Sequence, residues 1–233
     1  MRDIDLSVLI PAYQEEENLR VILPRLNKAL NELKVKHEVL VIDTMQKMDN
    51  TEQVCKELNA TYINRENSNY YGDAIRTGIN HAKGTWIIFM DADGSHSPEF
   101  IKELFLYRND YDVVIASRYV KGGGSDNDRL SILMSLIVNV VFSWFLGLNC
   151  KDVSNSFKLY RTSLLKDISL YSNNFDAVEE ILVKLKRKNP QLKIKEVPFF
   201  FKERMFGHTK RNLLAFIFSY LVILIRLKFF SRD

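Results

Sequence analysis

The stretch TWIIFMDADGSHSPE occupies residues 85–99 and joins an apolar run to an acidic turn. Residues 86–90 have the length and the aromatic and β-branched content of a buried strand. Asp91 and Asp93 follow two positions apart, so the alternation of an extended chain points both carboxylates the same way. Hard cations such as Mg²⁺ or Mn²⁺ bind one or two carboxylates together with diphosphate oxygens. The stretch therefore predicts a strand ending in a site for a cation and a phosphate, with solvated loop carboxylates as the alternative.

Strand-like and helix-like segments alternate on both sides of this stretch, over the first 117 residues. Short apolar runs predict strands at residues 6–10, 38–42, 61–63, 86–90 and 112–116. Helical patterning predicts helices at residues 16–33, 51–58, 71–82 and 98–106. Such alternation is typical of an α/β fold with a mostly parallel central sheet flanked by helices. Ligands of these sheets bind beyond the carboxyl ends of the strands.

Polar residues collect at the ends of the predicted strands. They comprise residues 11–15 (PAYQE), Asp43, residues 91–93 (DAD) and residues 117–119 (SRY). Arg118 precedes a triple glycine at residues 122–124, and a guanidinium there suits a bidentate contact with phosphate. Arg204 and Lys210 are spaced in a later basic loop to close over a diphosphate. An ordinary surface arginine and an ordinary basic loop are the alternatives.

Composition restricts the class of protein. The 33 basic and 29 acidic residues leave a net charge of +4, which is too mild for the basic face of a nucleic-acid binder. Cys55 and Cys150 lack CxxC spacing, which favours reduced thiols over a disulfide. The N-terminal residues are charged and then strand-like, unlike a signal peptide, so we expect a cytoplasmic protein. His81, His96 and His208 lack metal-site spacing and are interpreted as packing or solvated side chains.

Residues 130–150 form an uncharged stretch of 21 positions, long enough to span a bilayer. Small or polar residues recur in it at every fourth position, which forms a stripe along a helix. A span would also put residues 91–93 and the later basic loop on opposite sides of the membrane. We therefore expect a buried or interfacial helical segment.

Residues 213–230 form a second apolar stretch, broken by Arg226 and Lys228. Its uninterrupted part, residues 213–225, is shorter than the ~20 residues that a membrane span needs. Cations precede it, so we expect a helix lying on an anionic membrane surface; a helix docked on the protein's own core is the alternative. This divides the chain into a domain at residues 1–212 and a membrane-contacting C-terminal helix at residues 213–233.

Several motifs occur in a recognisable order along the chain. They are VLIPAYQEEENL, HEVLVID, YYGDAIRTGINHAKGTWIIFMDADGSHSPE, ASRYVKGGG, DVSNSFKLYR and EVPFFFKERMFGHTK. Together they resemble the family 2 glycosyltransferases with the GT-A fold, and among these the dolichol- or polyprenol-phosphate mannosyltransferases. The sequence departs from the pattern in the turn at residues 43–49, which is longer than usual and lacks glycine.

The resemblance implies a role for each matched residue. The nucleoside would be held by Pro11, Tyr13, Glu15, Val41 and Asp43. Asp91 and Ala92 would lie beside the ribose and diphosphate, and Asp93 with Ser95 would contact the metal. Arg118 would engage the donor or acceptor phosphate, and Arg204 with Lys210 would close over the diphosphate.

The resemblance also implies an activity. It is the inverting transfer of a hexose, here expected to be mannose from GDP-mannose, to a polyprenyl or dolichyl phosphate with Mg²⁺ or Mn²⁺ as cofactor. The acceptor phosphate, with a second pKa near ~6, is already ionised and needs no general base. The enzyme would act as a peripheral protein at the cytoplasmic face of a membrane.

Two other functions stay open from the sequence. A related enzyme that glycosylates a saccharide hydroxyl would need a general base, for which Asp176, Glu179 and Glu180 are candidates. A non-catalytic, membrane-associated partner that retains the fold is the third hypothesis.

Overall fold

The computed structural model describes residues 4–205 and 222–230. Its strands are β1 (Leu6–Pro11), β2 (His37–Asp43), β3 (Thr61–Asn64), β4 (Trp86–Phe89), β5 (Val113–Ser117), β6 (Gly124–Ser125), β7 (Lys158–Arg161), β8 (Ile194–Pro198) and β9 (Phe200–Phe201). Its helices are α1 (Glu16–Leu33), α2 (Thr51–Glu57), α3 (Tyr71–His81), α4 (Ile101–Leu106), α5 (Arg129–Leu146), α6 (Thr162–Lys166) and α7 (Ala177–Lys188). A 3₁₀ turn at Pro98–Phe100 leads into α4, and residues 222–230 are helical, with π-type turns at Arg226–Phe230.

A seven-stranded sheet in the order β3-β2-β1-β4-β7-β5-β8 forms the centre of the molecule. Its neighbours run parallel except at β7, which lies antiparallel between β4 and β5. The predicted α/β fold with a mostly parallel sheet is confirmed. Because β7 runs antiparallel to β4 and β5, the residues that precede β7 in the sequence lie at the carboxyl ends of β4 and β5. This insertion brings residues 152–157 to the edge where such sheets bind ligands.

The predicted elements of the first 117 residues are confirmed, with boundaries shifted by at most one residue when the 3₁₀ turn at Pro98–Phe100 is counted with α4. Helix α1 shows why the pattern was informative, since its buried leucines and isoleucine recur at helical spacing. Strand β1 is buried along its whole length. Val8 and Ile10 pack against the layer of α1, α2 and α4, whereas Leu9 packs against the layer of α3 and α7. Burial on both faces explains the continuous apolar strands.

The two cysteines are free and buried, as predicted. Cys55 belongs to the apolar cluster on one face of the sheet and Cys150 to the cluster on the other. The sheet separates the two thiols, so each serves as a small core residue.

Helix α5 has a buried side and an exposed apolar side. Asp128 begins it by accepting a hydrogen bond from the Ser131 amide, and Gly147 ends it at φ +68°. Among the described residues it is the one helix long and apolar enough to cross a membrane. Asn139 and Phe142 are its buried residues. Val138, Phe145 and Leu146 pack against the core, whereas side chains such as Ile137 and Trp144 are exposed. The helix is therefore only partly buried, and its interfacial position stays a prediction.

The helical segment 222–230 is docked on the protein. Leu224 and Leu227 are buried in the cluster shared with α7, and the Lys228 ammonium donates to the carbonyl of Phe145 in α5. For these residues the structure shows the docked alternative, while Ile225 and Phe229 remain exposed. The rest of the predicted C-terminal helix, residues 213–221 and 231–233, lies outside the described residues.

Candidate active site

The acidic turn after β4 is held by a buried histidine. His96 is fully buried and stacks on Phe157. Its Nδ1 accepts the backbone N–H of Asp91 at 3.0 Å. Nε2 therefore carries the proton and donates to Asn155 Oδ1 at 3.1 Å. Burial lowers the pKa of His96, which keeps this neutral tautomer. His96 is a packing side chain, as predicted, and it also fixes the direction of the turn.

Ser95 orients the second carboxylate of the turn. Its backbone N–H and its hydroxyl donate to Asp93 Oδ1 at 3.0 and 2.6 Å. The backbone carbonyl of Asp93 accepts the N–H of Met205 at 2.9 Å, which joins the turn to the segment after β9. Ser95 was expected to contact the metal. In this structure its hydroxyl donates to Asp93, so direct metal contact by Ser95 stays a prediction.

Three carboxyl groups lie close enough to interact electrostatically where β1 and β4 end. Asp91 accepts a hydrogen bond from the Ser156 hydroxyl at 2.9 Å. Burial raises the pKa of Asp91, and the negative charge of Asp93 raises it further. Burial likewise raises the pKa of Glu15, with added repulsion from Asp93 and Asp91. Arg204 approaches Glu15 at 3.7 Å and supplies one compensating charge.

This set of oxygen donors fits a divalent cation that is shared with a ligand. In residues 4–205 and 222–230, no three His, Cys, Asp or Glu side chains come together as a complete metal site. Mg²⁺ commonly takes only one or two protein carboxylates and completes its shell with phosphate oxygens and water. Asp93 and Asp91 provide such carboxylates, and a cation between them would relieve their repulsion.

The ends of β2 and β3 each carry a buried polar atom that has no hydrogen-bond partner among the described residues. Asp43 is 1% exposed, and its Oδ1 has no hydrogen-bond partner within the described chain, while Oδ2 accepts from the Tyr62 hydroxyl at 3.3 Å. Arg65 bonds through its backbone N–H to the Asp43 carbonyl at 2.9 Å, and its buried Nε is also without a partner there. Burial raises the pKa of Asp43 and lowers that of Arg65. Such orphaned groups are costly unless a ligand pairs with them.

Arg65 was not predicted as a site residue, although its position in the sequence carries a signal. It directly follows β3. The end of β3 was the one predicted strand end to which no polar residue was assigned. Its guanidinium also donates to the carbonyl of Ala12 at 2.5 Å, so it joins the ends of β1, β2 and β3.

The other residues predicted to bind the nucleoside lie either at the edge of the sheet or in its core. Pro11 ends β1, Tyr13 lies beyond it and is 50% exposed, and Ala92 is buried within the acidic turn. Val41 is different, because it is fully buried in the core two positions before β2 ends. We correct its assignment: the Val41 side chain packs beneath the site and does not reach the edge.

Arg118 is fixed by an ion pair that the sequence did not reveal. Its Nε and Nη2 donate to the two carboxylate oxygens of Asp152 at 2.8 and 2.7 Å, and Nη2 also donates to Ser154 Oγ at 3.1 Å. Asp152 is fully buried. The guanidinium lies 5.5 Å from the ring centre of Phe201, whose own ring packs on His96. The structure thus brings Arg118 beside the acidic turn, and Lys210 lies outside the described residues.

The three acidic residues at the start of α7 differ in their partners. Glu180 accepts the backbone N–H groups of Tyr171 and Ser172, and Asp176 pairs with Arg226. Glu179 is 2% exposed, and its Oε2 lacks a partner in the part of the chain described. Burial raises its pKa above the ordinary value of 4.5. Of the three, only Glu179 has an oxygen without a partner among the described residues, as a general base needs.

The sequence of this domain matches a known protein family. The family described as Glycosyl transferase family 2 matches residues 7–169. The chain belongs to glycosyl transferase family 2. The predicted family is thereby confirmed.

Two curated relatives of this family 2 chain are named dolichol-phosphate mannosyltransferase. The protein from Pyrococcus furiosus is 33% identical over 230 residues, which cover 95% of this chain and 63% of the relative. The chain therefore spans less than two thirds of that relative's length. The Saccharomyces cerevisiae protein is 30% identical over 225 residues, covering 89% of this chain and 81% of the relative.

Solved structures confirm the GT-A fold. Glucosyl-3-phosphoglycerate synthase from Mycobacterium tuberculosis, in complex with Mn²⁺, UDP and phosphoglyceric acid, aligns with a TM-score of 0.73 at 15% identity. That alignment covers 99% of this chain and 80% of the synthase. The same synthase with Mg²⁺ and UDP gives a TM-score of 0.73 at 16% identity, covering 99% and 81%.

Proposed function

We propose that this family 2 chain transfers a hexose from a nucleoside diphosphate sugar to a polyprenyl or dolichyl phosphate, with inversion. Mannose from GDP-mannose is the donor that the sequence resemblance implies, and the names of the two relatives support mannosyl transfer. One observation carries the proposal: the acidic turn at residues 91–95 and the fixed guanidinium of Arg118 share one edge of the sheet. Such a pairing suits a reaction in which both substrates bear phosphate.

The donor side of the proposed site would read the nucleotide along the ends of β1, β2 and β3. Asp43 Oδ1 would accept an N–H of the base, and Arg65 Nε would donate to a neighbouring acceptor atom. Both atoms are buried and have no hydrogen-bond partner among the described residues. The pair supports recognition of a base edge, and guanine is proposed from the resemblance.

The proposed diphosphate position lies between the acidic turn and Arg204. A divalent cation, Mg²⁺ or Mn²⁺, would offset the negative charge that develops on the departing diphosphate. Asp93 would hold that ion, with its carboxylate oriented by Ser95. Arg204, which approaches Glu15 from the segment after β9, would close over the same charge, together with Lys210.

The acceptor side of the proposed site would use Arg118. A phosphate monoester with a second pKa near ~6 is ionised at neutral pH and can attack without a general base. Positioning it is then the main task of the protein. The exposed apolar side chains of α5, including Ile137, Val140 and Trp144, would contact lipid beside the acceptor. The enzyme would accordingly act as a peripheral protein at the cytoplasmic face of a membrane.

A donor and acceptor panel tests this function. The protein is incubated with GDP-mannose, UDP-glucose or ADP-glucose, with a short-chain polyprenyl phosphate or a free oligosaccharide, and with Mg²⁺, Mn²⁺ or EDTA. We expect transfer from GDP-mannose to the phosphate, only with metal present. Transfer to saccharides alone would overturn the proposal, and metal-independent donor binding without turnover would indicate the non-catalytic partner.

A saccharide hydroxyl acceptor is the second candidate, and the state of Glu179 favours it. This buried carboxyl has a raised pKa and an oxygen without a partner in the described chain, as a general base requires. Glu179→Gln would abolish transfer to a hydroxyl but leave transfer to a phosphate largely intact. Glu180→Gln is the matched control, because Glu180 bonds to backbone N–H groups.

A further inference from the structure

Asn139 makes an unusual set of contacts for a residue of an apolar helix. Its Oδ1 accepts the backbone N–H groups of Val153 and Ser154 at 2.7 and 2.9 Å. Its Nδ2 donates to Ser154 Oγ at 3.0 Å and to the Ser135 carbonyl at 2.8 Å. An amide side chain has two donor hydrogens and two acceptor lone pairs, and all four are used here. Asn139 is 1% exposed, so these bonds are shielded from water.

The loop that Asn139 holds is the loop that holds Arg118. Ser154 Oγ, bonded to Asn139, also accepts from Arg118 Nη2 at 3.1 Å. Two residues earlier, Asp152 binds the same guanidinium through both oxygens and accepts the Arg118 backbone N–H at 2.8 Å. A continuous chain of hydrogen bonds therefore runs from the middle of α5 to the guanidinium.

Besides Asn139, the middle of α5 contacts the protein through Phe142 and the partly buried Val138, which belong to the same apolar cluster. Phe142 is its other buried residue, whereas Leu133, Ile137 and Val140 are about half exposed or more. A buried network whose donors and acceptors are all paired tends to impose a single arrangement on the groups that it joins.

We propose that Asn139 is a positioning residue that ties the orientation of Arg118 to the position of α5, through Ser154 and Asp152. This inference rests on the proposed function, because it assigns the Arg118 guanidinium to a phosphate of the acceptor. Contact of the exposed face of α5 with lipid would hold the helix in place and thereby improve phosphate binding at Arg118. Asn139 itself touches no substrate in this scheme.

Binding of a short-chain prenyl phosphate, measured by calorimetry, tests the proposal without requiring turnover. Asn139→Leu keeps the approximate side-chain volume and removes all four bonds. We expect its dissociation constant for the prenyl phosphate to rise about tenfold, with the affinity for the nucleotide donor unchanged. Ser143→Ala is the control, since Ser143 lies one turn later in α5 and bonds to the Leu148 carbonyl instead.

A double-mutant cycle separates positioning from a merely structural role. In an Arg118→Ala background, Asn139→Leu should cause no further loss of prenyl phosphate affinity, because the group that it positions is gone. Equal losses in both backgrounds would overturn the proposal, and so would an unchanged affinity of Asn139→Leu alone. A fall in donor affinity that matches the loss of prenyl phosphate affinity would assign Asn139 to general stability instead.

Trp144 permits a direct view of α5 in the same variants. The chain has two tryptophans; Trp144 is 82% exposed on α5, and Trp86 is 5% exposed. Vesicles of phosphatidylcholine and phosphatidylglycerol should shift the Trp144 emission to shorter wavelength in wild type and in Asn139→Leu alike. Only wild type should then bind prenyl phosphate more tightly. An equal gain in Asn139→Leu would contradict the coupling, whereas wild type that binds prenyl phosphate but transfers no sugar would refute the proposed function alone.

Discussion

The two sides of the site differ in how their side chains are held. On the donor side, the acidic turn is held partly by its own residues, since Asp93 accepts from Ser95 and the Asp91 N–H donates to His96. It is also held by the loop before β7, since the Ser156 hydroxyl donates to Asp91. On the acceptor side, Arg118 is held by residues 34 and 36 positions away in the sequence. Local sequence therefore encodes only part of the donor side, whereas the side-chain bonds that orient Arg118 come from the loop before the inserted strand β7.

The largest expected effect is that of Arg118→Ala on the acceptor side. This variant removes the preorganised positive charge that would bind the acceptor phosphate. It should lower kcat/KM for the acceptor about 100-fold to 1000-fold, with the donor dissociation constant unchanged. Steady-state kinetics and calorimetry measure the two quantities. Arg25→Ala, which breaks an exposed pair with Glu99, should leave both unchanged. A matching loss of donor affinity in Arg118→Ala would erase the distinction between the two sides.

A smaller effect is expected from Asp43→Asn on the donor side. The exchange keeps the side-chain shape but removes the charge that would accept the N–H of the base. Donor affinity should fall about tenfold, while the affinity for prenyl phosphate stays the same. Glu52→Gln, at an exposed position of α2, is the control. If Asp43→Asn binds the donor as wild type does, Asp43 does not contact the base.

Prediction from sequence succeeded where strands and helices alternate. The ends of β1, β2, β4 and β5 were located because each follows a short apolar run. Strand β7 was not predicted, since nothing in a single strand specifies that it will insert antiparallel between two others. Asp152, Ser154 and Asn139 were missed for this reason, and Val41 was assigned to the site although its side chain is in the core.

The smallest expected effect concerns the pH dependence of stability on the acceptor side. Burial raises the pKa of Glu179 above 4.5, so the folded protein keeps this proton to higher pH than the unfolded chain. The contribution of Glu179 to stability is therefore greatest below pH 4.5, the ordinary pKa of the unfolded chain. It falls as pH rises above that value, by at most about 1.4 kcal/mol per pH unit. The buried ammonium of Lys158 acts on the same carboxyl and limits the fall.

Glu179→Gln lacks this proton and should lose less stability as pH rises. Urea unfolding from pH 4.5 upward measures the difference between variant and wild type, which should widen with pH. Parallel curves would show that the Glu179 pKa is ordinary, and would remove the main support for a hydroxyl acceptor.

The central claim is that a divalent cation at Asp93 offsets the charge of the departing diphosphate. The most direct test is the rate of GDP-mannose consumption by wild type and Asp93→Ala, with polyprenyl phosphate present and with Mg²⁺ or EDTA. We predict turnover in wild type with Mg²⁺, and none in wild type with EDTA or in folded Asp93→Ala. Undiminished consumption by Asp93→Ala would contradict the account.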